Sequence, residues 1–312
     1  MNKILASIIT FLFTLIIAQN TSYKFDYYNI SDGLSQNRAQ AIYQAKDGYI
    51  YVGSQGGLDR FDGYNFKYFS HNPSDTTSVP HGWVSAIGQD IEENLWIGTT
   101  QKTVGYLKPD GSWVRVKLKG MESWDRSGKP WWWGFISDIK SLDDNVLIAS
   151  NGNGLFIINN GNEQHYTSDK DGVNNIFEIF VIENQIFLGT RSGMYRFDQK
   201  NKEFIKTKIS NPVSGFATSK DSNKFYVSSD KNVYLYDFMN ESLKEIKIKI
   251  NKTERAFRRM VLHNDKLWIL NDNYGIVVHN TIDNTSLQLS PPSIKDTEHF
   301  KIIVDRDNAI WI

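Results

Sequence analysis

The sequence predicts an all-β fold, a β-propeller of four-stranded blades with about seven blades and the last one incomplete. Three observations carry this: a strand-turn-strand pattern that recurs, a spacing near forty residues between its copies, and no helix-period stretch between them.

The pattern is clearest in its first copies. AIYQAKDGYIYVG from Ala41 to Gly53 and AIGQDIEENLWIG from Ala86 to Gly98 each run an apolar strand into a polar turn and out along an alternating strand. That is a hairpin signature. The apolar residue before the small pair that ends the second strand marks the period: Val52, Ile97, Ile148, Leu188, Val227, Ile269 and Ile312, at spacings of 45, 51, 40, 39, 42 and 43. A β-solenoid would need a shorter repeat.

In the first copy the strands are expected at 40–44, 49–54, 58–61 and 66–70, separated by Asp47-Gly48, Gly56-Gly57 and Asp62-Gly63. Glycine at these places admits the positive φ of tight connections. The fourth copy repeats the layout at 176–182, 185–189, 193–197 and 204–207, and the diverged fifth and sixth keep its order at 224–228 with 233–237 and 266–270 with 275–279. A seventh copy, 300–312, ends at Ala309-Ile-Trp-Ile where the second copy continues into Gly98-Thr99. An unfinished blade leaves an open strand edge, which natural sheets avoid, so the sequence reads as the N-terminal part of a longer protein. A further strand at 24–30 is expected to pair at the outer side of the last blade.

Residues 1–18 have the layout of a signal peptide: Lys3, an uncharged apolar run from Ile4 to Ala18, then the polar Gln19 and Asn20. The run is shorter than the roughly twenty residues of a membrane span. The expected division is therefore a signal peptide at 1–18 and a propeller at 19–312, exported to the periplasm or another extracytoplasmic space. The composition, 40% hydrophobic and 13% aromatic, is that of a globular chain with a sizeable core. Lys plus Arg and Asp plus Glu are both 35, so no net field attracts polyanions, and nucleic acid is not an expected partner. Cysteine is absent, which removes disulfides, a lipid-modified N-terminal cysteine and thiolate metal sites.

Particular strings resemble the two-component regulator propeller repeats found in sensor regions of hybrid histidine kinases and related regulators, chiefly of Bacteroidetes. Ser31-Asp-Gly-Leu-Ser35 is similar to the family's lead-in, and Gly57-Leu-Asp-Arg-Phe-Asp-Gly63 to its "GL-R-DG" segment. Asn72-Pro-Ser-Asp-Thr-Thr-Ser-Val79 resembles its inter-blade "P-D-SL" loop, and Asn94-Leu-Trp-Ile-Gly-Thr99 its "LWIGT" strand. The resemblance is strongest over residues 25–100 and weakest in copies five and six, where Val227-Ser-Ser and Ile269-Leu-Asn replace Ile-Gly-Thr. It implies a periplasmic sensor of two successive propellers followed by an immunoglobulin-like module, a membrane helix and a cytoplasmic output module. That output is a histidine kinase or a DNA-binding module, and the full-length protein is an expected inner-membrane protein and a possible homodimer.

No nucleophile elbow, phosphate-binding glycine loop, paired metal-ligand histidines or EF-hand loop occurs, so no catalytic residue, metal or cofactor is assigned. Asp90 with Asn94, and Asp305 with Asp307, sit in first-hairpin turns, where they are expected to serve turn geometry. The long spacing between Ile97 and Ile148 exposes an insertion holding Trp124, Trp131, Trp132 and Trp133 beside Asp125, Arg126 and Lys129. Trp rings stack on sugar rings while charges bind hydroxyls or acidic groups, so this loop is the candidate ligand surface. Packing between blades, or against a second propeller, is the competing role, and alternation along a strand directs at least one of three consecutive Trp inward. Arg38, Trp83, Arg191 and Arg258, near strand starts or second-to-third turns, are expected on the same face.

The expected function is ligand sensing in a two-component regulator, with an oligosaccharide or other small molecule as the ligand and the second propeller and downstream domains as partners. Two alternatives stay open: a propeller lyase or hydrolase, which predicts His, Arg or carboxylates clustered at the channel mouth, and a passive scaffold or adhesion module. The strand starts, read as mainly apolar and small, count against the enzyme.

Overall fold

In the computed structural model, residues 23–119, 121, 134–250, 256–271, 275–290 and 301–312 are described. Among them lie six four-stranded antiparallel sheets, at 39–70, 84–116, 136–166, 176–206, 213–246 and 257–289, and a two-stranded hairpin of Ile303–Val304 with Ile310–Trp311. Within each sheet the strands are paired in chain order. The first strands of the sheets, Ala39–Gln44, Val84–Gln89, Ile136–Leu142, Ile176–Ile182, Val213–Thr218 and Phe257–His263, contact one another in succession and form the innermost ring. This is a propeller of six four-stranded blades.

Burial falls from the axis outward. Second strands such as Ile50–Ser54 and Leu95–Thr99 are buried at every position, because neighbouring blades cover both faces. Fourth strands such as Phe66–Ser70 and Asn162–Tyr166 are largely exposed and carry Lys67, Glu163 and Gln164. The apolar residues form clusters between adjacent blades: Ile136, Ile139, Ile148 and Phe156 of the third blade join Ala86 and Trp96 of the second. Each blade therefore buries its apolar surface against its neighbours.

The small residue of the Ile-Gly-Thr pattern has a steric reason. A Cβ on Gly98 would lie 2.2 Å from Ile136 Cγ2, and one on Gly53 would lie 2.7 Å from Val84 Cγ1. In the first, second and fourth blades the residue that opens the next inner strand thus packs on this glycine, and the third blade has Ala149 in its place. In the fifth blade Ser228 takes that place, and its hydroxyl donates to the Arg258 carbonyl at 2.6 Å. A ring of hydroxyls adds to this: Ser85 donates to Ile136 O at 2.7 Å, Ser137 to Ile176 O at 2.6 Å and Ser214 to Phe257 O at 3.0 Å. Each links one inner strand to the first residue of the next.

Two expectations are corrected. The segment expected as a strand at 24–30 forms no ladder; it crosses from the sixth blade to the first through side chains and enters a short 3-10 turn at Ile30–Asp32. Tyr23 meets Trp268 edge-on at 4.8 Å and Tyr28 stacks on Trp311 at 5.7 Å, so ring packing holds it in place of backbone pairing. The seventh copy contributes only its hairpin among the described residues, not a blade. Smaller adjustments are of one residue: the fourth blade's strands are Gln185–Thr190, Gly193–Asp198 and Glu203–Lys206.

The hairpin nevertheless lies in the ring. Ile303 and Trp311 pack with Ile42 and Phe61 of the first blade, while Ile302 and Ile310 pack with Trp268 and Ile276 of the sixth. The Arg306 N–H donates to Gln44 Oε1 at 2.8 Å, just as the Lys46 N–H of the first blade donates to Gln89 Oε1 of the second at 2.8 Å. Its turn also matches: Asp90 accepts from the Asn94 N–H and from Trp96 Nε1 at 2.7 Å, and Asp305 accepts from the Ala309 N–H and from Trp311 Nε1 at 2.6 Å. The turn role expected for Asp90 and Asp305 is what the geometry shows.

Candidate functional site at the channel mouth

One end of the barrel of inner strands gathers the four expected site residues that are described. Inner strands begin there, and the second-to-third turns lie against those beginnings: the Thr100 N–H donates to Trp83 O, the Asn151 N–H to Phe135 O and the Arg191 N–H to Asn175 O. Arg38 and Trp83 stand just before the first and second inner strands, Arg191 is in the fourth blade's turn, and Arg258 is the second residue of the sixth inner strand. All four therefore share this face, on four different blades. Arg38, Arg191 and Arg258 are exposed. Trp83 is half-buried, donates through Nε1 to Gln40 Oε1, and lies 6.2 Å from the Phe135 ring. Trp124, Asp125, Arg126, Trp131, Trp132 and Trp133 fall outside the described residues.

Beneath the mouth lies a cluster that the sequence reading missed. Asp138 and Lys140 come from the third inner strand, Glu178 from the fourth, Arg259 from the sixth, and Lys301 from just before the hairpin. Lys301 Nζ is 2.6 Å from Asp138 Oδ1 and 4.0 Å from Glu178 Oε1, and Arg259 Nη1 is 2.7 Å from Glu178 Oε2. Arg259 also donates to the Phe177 carbonyl at 2.5 Å. The acids brace the next blades in turn: Asp138 accepts from the Ile179 N–H at 3.0 Å and Glu178 from the Phe216 N–H at 3.1 Å. Gly215 and Ala217 in the intervening fifth inner strand carry no long side chain, so Arg259 can reach past them to the fourth blade.

The statement that inner-strand starts are mainly apolar and small is thus corrected. Asp138, Glu178 and Arg259 interrupt otherwise apolar inner strands, ISDIKSL, IFEIFVI and FRRMVLH. Charged residues in segments that packing requires to be apolar were the available signal. Burial works to raise the Asp138 carboxyl, but Lys140, Lys301 and Arg259 overcome it and hold it at about 2. Asp138 in turn raises the Lys140 ammonium, while burial pulls Lys301 down against the attraction of Asp138. A carboxylate held ionised and paired as Asp138 is makes a poor general acid.

The opposite face offers less. A groove of about 200 Å³ between the fifth and sixth blades is lined by Asp221, Lys224, Tyr226, Leu262 and Thr281. It is smaller than the roughly 300 Å³ at which ligand pockets begin. Its rim is occupied by the Lys224–Asp221 pair at 2.5 Å and the Lys220–Asp265 pair. Histidines serve structure where their bonds are given: His71 to Val79 O at 2.7 Å, His165 to Asn153 O at 2.6 Å and His279 to Ser286 Oγ at 3.0 Å. No group of three His, Cys or acidic side chains suited to a metal occurs among the described residues. No helix among them is long and apolar enough to cross a membrane.

Comparison with known proteins agrees with this architecture. The two component regulator propeller profile matches residues 33–56, which span the lead-in and the first hairpin. A histidine kinase of Formosa agariphila is 43% identical over 75 residues, 23% of this chain and 6% of that protein. Among solved structures, the extracellular domain of a hybrid two component system from B. thetaiotaomicron superposes with a TM-score of 0.74 at 17% identity, covering 93% of this chain and 40% of its own. The extracellular domain of a one component system from the same organism gives 0.72 at 17%, covering 93% and 39%. The chain spans well under half the length of these relatives. The match to the two-component regulator propeller profile thus lies within the first blade and its lead-in, and the propeller fold is shared with these extracellular domains.

Proposed function

We propose that this chain is the extracytoplasmic ligand-sensing propeller of a two-component regulator, exported by a signal peptide at 1–18 and continuing into a second propeller, a membrane anchor and an output module. In this reading the 303–311 hairpin is the inner half of a seventh blade whose outer strands lie further along the chain. The ligand, an oligosaccharide or related small molecule, sits at the channel mouth, with the Trp residues between 124 and 133 as candidate contacts. The observation that carries the site is the convergence of Arg38, Trp83, Arg191 and Arg258 from four blades on one face of the ring. A ligand that prefers one arrangement of the propeller relative to its downstream domains shifts an existing equilibrium between arrangements, and that shift is the signal.

Calorimetric titration of the purified chain with polysaccharide digests tests this. Heat with the ligand recovered intact supports sensing. Turnover of the digest supports a lyase or hydrolase instead, and silence across a broad panel supports a scaffold. Loss of binding in Trp83→Ala, with unchanged melting, locates the ligand at this face.

A further inference from the structure

Between the third and fourth blades the mouth face carries two asparagine side chains joined to each other. Asn151, in the second-to-third turn of the third blade, and Asn175, just before the fourth inner strand, stand opposite one another in an isolated β-bridge. Asn175 Nδ2 donates to Asn151 Oδ1 at 3.0 Å. An asparagine amide has one carbonyl acceptor and an N–H2 donor, so the couple leaves over the Asn151 N–H2 and the Asn175 carbonyl, a donor beside an acceptor. Neither has a partner among the described residues, neither is enclosed, and both residues are half-buried.

The backbone around the couple is fixed without it. The Gly152 and Gly154 N–H groups donate to the Asn174 carbonyl at 2.8 and 3.0 Å, and the Arg191 N–H donates to the Asn175 carbonyl at 3.0 Å. The third blade's turn is therefore tied to the fourth blade by main chain alone. On its other side the Asn151 N–H donates to the Phe135 carbonyl at 2.8 Å. Phe135 is half-buried, and its ring centroid lies 6.2 Å from that of Trp83. Gln40, 8% exposed, accepts from the indole N–H and sets its orientation, and the Gln40 N–H2 has no partner among the described residues. Aromatic rings beside a few fixed polar groups are the composition of a small-molecule site. Groups held in place before binding lose little freedom when a ligand arrives.

We propose that the Asn151–Asn175 couple binds two adjacent hydroxyls of a neutral sugar ring whose apolar face lies on Trp83 and Phe135. One hydroxyl accepts from Asn151 Nδ2, and its neighbour donates to Asn175 Oδ1. A hydroxyl is both donor and acceptor, so adjacent hydroxyls match a fixed donor beside a fixed acceptor, and no ligand charge is needed. This rests on the ligand-sensing reading above and narrows it to a ring, a pair of hydroxyls and two residues outside the set expected from sequence.

The test titrates the chain with neutral hexose oligosaccharides and with uronate-containing ones of the same length, then repeats the tightest neutral titration with variants. Asn151→Asp keeps an oxygen to accept from Asn175 and removes the free donor; it should weaken binding about tenfold or more with unchanged melting. Asn175→Ala, which removes both the acceptor and the couple, should weaken it at least as far. Asp144→Asn, in the first-to-second turn at the opposite end of the third blade, should leave it unchanged. Affinity for the neutral sugar should vary little with salt. Melting curves identify any variant that fails to fold. A couple that only braces the blades would lower melting in Asn175→Ala and leave the affinity of Asn151→Asp unchanged, which would overturn the proposal while binding by the unaltered chain keeps sensing intact. Binding confined to the acidic sugars, weakening as salt rises, would overturn it in the same way. No binding of any oligosaccharide would overturn both.

Discussion

Lys301 and Asp138, 163 residues apart in the chain, meet at 2.6 Å across the axis of the propeller. The pair ties the segment entering the hairpin to the third blade, while Arg259 and Glu178 tie the sixth blade to the fourth at 2.7 Å. The ring is therefore held by packing at every blade interface and by ion pairs that span its centre.

Breaking one partner of the axial pair should be more damaging than removing both. Lys301→Met leaves Asp138, 1% exposed at its side chain, without its nearest cation. A loss of about 3–5 kcal/mol is expected for a buried charge stranded in this way. Lys301→Met combined with Asp138→Leu should recover much of that loss. Urea unfolding of the two singles and the double forms the cycle that checks it.

Acid should weaken the fold through the same residue. Because the folded chain holds the Asp138 carboxyl at about 2, below its ordinary 3.8, this group stabilises the fold above pH 3.8, and its contribution disappears as pH falls toward 2. The full contribution is about 2 kcal/mol by linkage. Stability measured from pH 6 to 2 should show a decline below pH 4 that is shallower in Asp138→Asn.

Gly98→Ala tests the blade interface. The added methyl would lie 2.2 Å from Ile136 Cγ2, on a residue that is fully buried. Overpacking at such a contact costs about 1–3 kcal/mol. Gly63→Ala, whose Cβ meets nothing within 4 Å but whose φ is +96°, should cost only its backbone strain, about 1 kcal/mol. Thermal melts of the two variants separate steric from conformational demand.

The two matching turns allow a further comparison. Asp90→Ala and Asp305→Ala each remove the acceptor of a Trp Nε1–H, that of Trp96 and of Trp311. Trp96 is 5% exposed and lies between two strands of a four-stranded sheet, whereas Trp311 belongs to a two-stranded sheet. A buried donor left unsatisfied costs about 1–3 kcal/mol. Asp90→Ala should therefore lower global stability, and Asp305→Ala should chiefly free the hairpin, visible as faster amide exchange at Ile303 and Ile310.

The blades were legible because strand alternation and turn chemistry are local. The spacing of Val52, Ile97, Ile148, Leu188, Val227 and Ile269 placed all six second strands, and the Asp-Gly pairs placed their turns. The segment 24–30 misled because the alternating aromatics Tyr23, Phe25 and Tyr27 suit a strand, yet Tyr23 and Tyr28 are used as ring contacts on Trp268, Phe61 and Trp311. The mouth residues were legible as a face, since strand starts and second-to-third turns must share one end. The axial cluster was not, because its members come from three inner strands and the hairpin lead.

Sequence alone determined the repeat, the four-stranded blade and the end at which Arg38, Trp83, Arg191 and Arg258 gather. Those follow from periods of two and of about forty, which are properties of neighbours along the chain. Tertiary structure decided which charges meet across the axis. That depends on closing the ring, which brings Lys301 to Asp138, residues 163 apart in the chain.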